Sequence, residues 1–344
     1  MVSGLKLPIA AAHILIYEPS PDDGVSWDKI PTKWQAPNGT LNLHFESVDV
    51  LYISPFIVDP NGHFVLETLV DGKPVDLKPR LQWIIQTARH KNPNVKLFAQ
   101  QFYGDTGINT LQHLPTVSGQ SPFDAYANSV PVTLRTFGLD GYDLDYEWHD
   151  KKIKGKWVRL DGNIIPEAPH LLAKIREVLD KETAHEYYVS ISPATTARLV
   201  NKSVARWPSN SAADTFPVAK SVHLVNIQSY AGGQDPDNAN GVEAWLGPLG
   251  GGLSLSASQV LFGICSENNS QSPNISQAEA AYNKPLPTSA AGQTLAGIHN
   301  WRLNSENLPY ENEVQSLLFN ILHRKPIDPT SRKRTEERWE SRGM

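Results

Sequence analysis

Short apolar, β-branched runs recur along the chain, separated by amphipathic or irregular stretches. They occupy residues 12–17, 48–58, 95–102, 138–147, 187–192, 223–230, 259–264 and 295–301. Runs of this kind read as buried parallel strands, and eight of them close a (β/α)8 TIM barrel. Between the second and third runs, Pro79 opens a segment with Leu81, Ile84, Ile85 and Ala88 at helical spacing. Pro169 opens another with Leu171, Leu172, Ile175, Val178 and Leu179. Proline suits a first helical turn, where its missing N–H would have no intrahelical partner. Residues 123–137 predict a third helix, which Pro131 should kink or shorten. Val314, Leu317, Leu318 and Leu322 predict a last one over 313–322.

The stretches after several strands are long: 19–33, 60–73, 105–121, 149–167, 195–215, 231–241 and 266–283. In a barrel such loops elaborate the C-terminal face, where sites are built. One barrel over 9–324 therefore accounts for nearly the whole of the 344 residues. The charged segment 325–344 is expected to be a flexible tail. The apolar start could imitate a secretory leader, but Pro8 and His13 interrupt it, and residues 9–17 read better as the first strand. No apolar run approaches the roughly 20 residues a membrane span needs.

Composition narrows the chemistry. With 31 basic and 36 acidic residues the net charge is −5, so no basic field exists to draw nucleic acid or an anionic membrane. A single cysteine, Cys265, excludes an internal disulfide and a cysteine-rich metal site. These features favour a cytoplasmic monomer without cofactor or metal, with secretion as the alternative. Four N-x-[ST] sequons, at Asn38, Asn201, Asn268 and Asn274, matter only in a secretory lumen.

The informative segment is Asp140-Gly-Tyr-Asp143-Leu-Asp145-Tyr-Glu147. Strand side chains alternate, so Asp143, Asp145 and Glu147 project to one face, spaced about 6–7 Å apart along the barrel interior. Burying like charges this close raises at least one pKa, so the set should share protons near neutral pH. Asp-x-Asp also occurs in calcium loops, but Leu139, Tyr142, Leu144 and Tyr146 mark an apolar-flanked strand.

The segment resembles the DGxDxDxE signature of glycoside hydrolase family 18, at the fourth of the eight strands, where that family keeps it. The family comprises chitinases, endo-β-N-acetylglucosaminidases and catalytically silent lectin-like proteins on (β/α)8 barrels. The resemblance implies that Glu147 is the general acid and base, that Asp145 orients the substrate's 2-acetamido group, and that Asp143 sits deeper, sharing a proton with Asp145. It also implies retention through an oxazolinium ion, an exception to the two-carboxylate rule. Tyr230 is implied as the hydroxyl that meets the acetamido carbonyl. Trp301 resembles the tryptophan that floors the site, and Tyr17 an aromatic near the trio. Gln228 resembles the glutamine of plant-type chitinases and of some endo-β-N-acetylglucosaminidases. Tyr103, Trp148 and Trp245 are candidates for outer subsites.

Two departures mark a divergent member. Where the family has SxGG, this chain has Ala99-Gln100-Gln101-Phe102, so the hydrogen bond to the deepest aspartate falls to Gln100 or Gln101. Ala231 stands where many chitinases have aspartate. The resemblance thus implies a retaining hydrolase of β-1,4-linked N-acetylglucosamine in chitin or chito-oligosaccharides. The alternatives are an endo-β-N-acetylglucosaminidase of the N-glycan chitobiose core and a non-catalytic lectin. The implied partner is an oligo- or polysaccharide containing N-acetylglucosamine.

Overall fold

The computed structural model describes residues 4–18, 26–70, 73–102, 108–116, 119–147, 149–153, 156–160, 167–193, 218–230, 255–267, 272–284 and 294–342. All eight runs become barrel strands: β1 (Ile9–Leu15), β2 (Val50–Val58), β6 (Lys96–Gln101), β7 (Gly141–Tyr146), β10 (Tyr188–Pro193), β11 (Leu224–Ile227), β12 (Val260–Cys265) and β13 (Gly297–Trp301). They pair in parallel in the order β1-β13-β12-β11-β10-β7-β6-β2, and β2 returns to β1 to close the barrel. Shorter strands decorate it. β3 (Phe64–Leu66) adds antiparallel to β2, β4 (Leu69–Val70) pairs β5 (Lys73–Pro74), and β8 (His149–Ile153) pairs β9 (Lys156–Leu160) in a hairpin directly after β7.

The helices are α1 (Lys78–Lys91), α2 (Pro122–Phe137), α3 (Ala168–Asp180), α4 (Val218–Ser221), α5 (Ile275–Asn283), α6 (Leu308–Leu322) and α7 (Pro329–Arg342). Among the described residues no helix is long and apolar enough to cross a membrane. Pro131 does not shorten α2, which keeps all 16 residues. Its start is set by Ser121, whose hydroxyl accepts the Asp124 N–H, and its end by Gly138 in the left-handed region at φ 67°. The chain then turns directly into β7. There Asp140 accepts the Leu97 N–H at 2.9 Å and meets Arg89 and His185 at 3.3 and 3.2 Å, which pins the base of β7 beside β6.

Alternation sorts the core into two layers. Tyr142, Leu144 and Tyr146 face outward into the large cluster between barrel and helices, with Leu81, Ile84, Leu134 and Ile175. Inside the barrel, Ile9, Val50, Tyr52, Phe98, Tyr188, Leu224 and Leu261 form a smaller cluster. Phe98 fills the space beside Gly141, where a Cβ would come within 2.7 Å of its ring.

The charged end departs from expectation. Residues 329–342 form α7 on the barrel's outside, with Thr335 fully buried and Trp339 packed near Tyr310. Its basic residues find acidic partners on α5 and α6. Arg332 meets Glu279 of α5 at 2.7 Å and Glu336 one turn on at 3.1 Å, while Arg334 meets Glu313 of α6 at 2.6 Å. Single exposed pairs contribute little, but joined to a buried threonine and a tryptophan they anchor the helix.

Close strand packing makes Gly297 irreplaceable. A Cβ there would stand 1.9 Å from the Ile9 carbonyl oxygen in the adjoining strand. Gly297→Ala is expected to lower stability by about 1–3 kcal/mol or more, read from urea unfolding. An unchanged midpoint would contradict this register.

Candidate active site

The carboxyl ladder rises along the barrel axis as the alternation requires. Asp143 is fully buried and surrounded by neutral donors from three strands. Gln100 of β6 donates to it at 2.8 Å, Ser190 and Ser192 of β10 at 2.6 and 2.9 Å, and Asn226 of β11 at 3.3 Å. Asn226 is itself held by Tyr52, whose hydroxyl donates to its carbonyl at 3.0 Å. Of the two glutamines where SxGG would stand, Gln100 takes over the bond to the deepest aspartate, while Gln101 donates to the Phe102 carbonyl. Burial pushes Asp143 up to about 6, the hydrogen bonds from Ser190, Gln100 and Ser192 restraining the rise.

Asp145, two residues on, is 3% exposed. Its carboxyl lies well above the ordinary range, first through burial, then through the charge of Glu147, a hydrogen bond with Glu147 and the charge of Asp143. Glu147, immediately beyond β7, is raised as well, by burial, with bonds from Asp145 and Gln228 opposing. The sequence placed the shared proton between Asp143 and Asp145. In the structure Asp145 instead hydrogen-bonds Glu147, because the lone pairs of Asp143 are already met by four donors from β6, β10 and β11. Two adjacent carboxyls removed from water cannot both ionise cheaply, which is why both are raised.

Gln228, just past β11, contacts both members. Its amide nitrogen donates to Glu147 at 2.9 Å and lies 3.3 Å from Asp145 and 3.2 Å from the Ser192 carbonyl. Tyr230 is 6% exposed, and its hydroxyl pKa is driven well up, first by burial, then by Cys265 and by Glu147, Asp145 and Asp143 in turn. Trp301 closes β13 and is half-buried, its ring 5.4 Å from that of His13. Tyr17 follows β1 and packs edge-on to Phe102 at 6.3 Å. Tyr103, Trp148, Ala231 and Trp245 lie outside the described residues. Among the described residues, no group of three His, Cys, Asp or Glu side chains is placed to hold a metal ion.

No family model matches the chain, and no curated protein matches it by sequence. Solved structures do match. The chitinase ChiW from Paenibacillus sp. superposes with a TM-score of 0.56 at 14% identity, over 93% of this chain and 33% of that one. A family 18 chitinase from Cycas revoluta, solved with allosamidin, gives 0.54 at 13% identity over 91% and 98% of the two chains. A Glu-to-Gln mutant of a class V chitinase from Nicotiana tobaccum, in complex with NAG4, gives 0.52 at 12% identity over 91% and 99%. The chain has the barrel fold of these chitinases. It spans about a third of the Paenibacillus chain and nearly all of the two plant chains.

Within this chitinase-type barrel, two buried histidines escaped the sequence reading. His13 of β1 and His299 of β13 meet at 3.2 Å, between Nε2 of the first and Nδ1 of the second. His299 Nε2 lies 2.9 Å from the Ile227 carbonyl, which can only accept, so this nitrogen carries the proton. Its Nδ1 is then a lone pair, to which His13 Nε2–H donates, and both rings are neutral. Burial lowers His299 to about 4; burial and then the charge of His299 hold His13 well below the histidine range. The two rings bed Trp301 and Tyr230, and His13 stacks on Tyr52 at 4.7 Å. Alternation on β1 and β13 places both inside the barrel, but only the spatial pairing distinguishes them from packed core residues. Nitrogen-15 NMR should show both as Nε2–H tautomers that do not titrate between pH 5 and 8, and an imidazolium signal in that range would refute the assignment.

A second prediction concerns stability. The folded pKa of Asp143, about 6, exceeds its ordinary value of 3.8, so its contribution is complete below about pH 4 and is lost as pH rises through about 6. The loss amounts to about 3 kcal/mol. Asp145 is raised in the same direction, mainly by burial. Asp145→Asn should therefore raise the thermal midpoint relative to the wild type at pH 8, by a margin that shrinks towards pH 4. A margin independent of pH would count against the buried charges.

Proposed function

We propose that the chain is a divergent member of glycoside hydrolase family 18 that cleaves β-1,4 linkages of N-acetylglucosamine-containing glycans, chitin or chito-oligosaccharides, with retention. The observation that carries this reading is the ladder of Asp143, Asp145 and Glu147 along and just beyond β7, with the Gln228 amide reaching both Asp145 and Glu147. A general acid must hold its proton near the working pH, and burial beside a second carboxyl raises the pKa in that direction.

In this mechanism Glu147 gives its proton to the glycosidic oxygen as the C1–O bond breaks and the bonding electrons pass to the leaving oxygen. The carbonyl oxygen of the same sugar's acetamido group attacks C1 and forms the oxazolinium ion. Asp145 orients the acetamido group and, as the anion, stabilises the positive charge on its nitrogen, while the Tyr230 hydroxyl donates to the carbonyl oxygen. Glu147, now a carboxylate, takes a proton from water as the water oxygen attacks C1 and opens the ring. Two inversions at C1 give retention. Asp143, fixed by its four donors, stays out of the exchange and raises Asp145 by its charge. The apolar sugar face stacks on Trp301. Tyr17 and Tyr103 complete the proposed sugar-binding set.

The complexes of the Cycas chitinase with allosamidin and of the tobacco enzyme with NAG4 support a saccharide of this kind. The resemblance of Gln228 to the glutamine of some endo-β-N-acetylglucosaminidases supports a second substrate, the chitobiose core of N-glycans. The lectin reading is disfavoured because Asp143, Asp145 and Glu147 are all present at one site.

Chito-oligosaccharides and a high-mannose glycoprotein, incubated in parallel and resolved by mass, separate these substrates, and cleavage of neither would falsify both. Glu147→Gln is expected to lower kcat by about 10²–10⁴ while oligosaccharide binding persists. Surviving activity would remove Glu147 from its role.

A further inference from the structure

The floor of the proposed sugar site is held by a charged clamp that the carboxyl trio does not use. The indole Nε1–H of Trp301 donates to Oε2 of Glu267 at 2.8 Å. The other oxygen of the same carboxylate accepts from Arg302 Nη2 at 3.0 Å, and Arg302 Nη1 pairs with Glu18 at 2.8 Å. Three segments converge here: the one leaving β1 with Glu18, the one leaving β12 with Glu267, and the end of β13 with Trp301 and Arg302.

The pieces differ in burial, which decides their roles. Arg302 is 6% exposed, so it needs its two carboxylate partners, whose charges raise its pKa against the opposing effect of burial. Glu267 is about one third exposed and could in principle point into water. Its main chain removes much of that freedom, because the N–H groups of Ser266 and Glu267 both donate to the Trp301 carbonyl, at 2.7 and 3.4 Å. Ser266 also donates its hydroxyl to the Arg302 carbonyl at 3.2 Å. The carboxylate is thus delivered to a place where one oxygen faces a guanidinium and the other an indole N–H. Both bonds are charge-assisted, the class that holds geometry most firmly.

We propose that Glu267 is a positioning residue for sugar binding: anchored by Arg302, it fixes the plane of the Trp301 indole so that its face is presented to the substrate. A half-buried tryptophan at a strand end otherwise keeps rotamer freedom that a stacked sugar would have to remove. This proposal rests on the reading of Trp301 as the floor of the site.

The test compares the wild type with Glu267→Gln and Glu267→Ala. Glutamine keeps an acceptor for the indole N–H, and alanine removes it. Two readouts are used: kcat and KM on a chito-oligosaccharide, and the indole ¹H–¹⁵N signal of Trp301, assigned with Trp301→Phe. Alanine is expected to raise KM up to roughly tenfold with kcat little changed, the size of one aromatic contact. The Trp301 indole signal should move upfield and exchange faster with solvent. Glutamine should bring both readouts back towards the wild type. An equal rise in KM for both variants would mean that the carboxylate acts on the sugar directly, and it would overturn the proposal. So would an indole signal unmoved in the alanine variant. If Glu267→Ala does not fold, Glu267→Asp, which withdraws the carboxylate by one methylene, carries the same expectation. If the wild type neither binds nor cleaves the oligosaccharide, the sugar-site reading fails, and the indole signal still decides whether Glu267 holds Trp301.

Discussion

Three carboxyl groups stacked inside a barrel are a standing electrostatic cost, and most of the polar interior is arranged around it. Removing a carboxylate from water disfavours its charge, and a second carboxylate one strand-step away disfavours it further. The deepest position answers this with donors: Asp143 receives four, all neutral, from three strands. The upper two are both raised and meet the amide of Gln228, which reaches both.

The same constraint explains the composition of the barrel axis. At the N-terminal end the interior is apolar, filled by Phe98, Tyr188, Leu224 and Leu261. One layer up it becomes polar, with Gln100, Asn226, Ser190 and two histidines all buried. Those histidines stay uncharged because burial disfavours an imidazolium, while the Ile227 carbonyl decides which nitrogen of His299 carries the proton and the His13 ring follows. A cation at that depth would draw the carboxyl pKa values down. At the rim, Arg302 stands between Glu18 and Glu267, and these two carboxylates retain contact with water.

Much of this was legible in the linear chain because it follows from periodicity. All eight strands were visible, since a buried parallel strand is a short apolar run with few ambiguities once its neighbours are also found. The outward set Tyr142, Leu144, Tyr146 and the inward set Asp143, Asp145 follow from alternation alone. The end of the chain was misjudged because α7 has almost no apolar stripe. Its place is set by buried Thr335, by Trp339 beside Tyr310 and by pairs with Glu279 and Glu313, on helices that only the fold brings near. Pro131 was expected to kink or shorten α2, which runs the full length from Pro122 to Phe137.

Within the site the division is similar. Residue types and spacing along β7 were enough to place Asp143, Asp145 and Glu147 on one face and to expect their pKa values to rise, because neighbours on one strand keep a set distance whatever surrounds them. How Asp143 is satisfied was decided by partners 43 to 83 positions away, Gln100, Ser190, Ser192 and Asn226. His13 and His299, 286 positions apart, could not be paired by any local pattern. Local periodicity therefore determined the strands and the carboxyl ladder, whereas closure of the barrel, which sets β1 beside β13, decided protonation, tautomer and the clamp on Trp301, since those depend on groups that meet only across the axis.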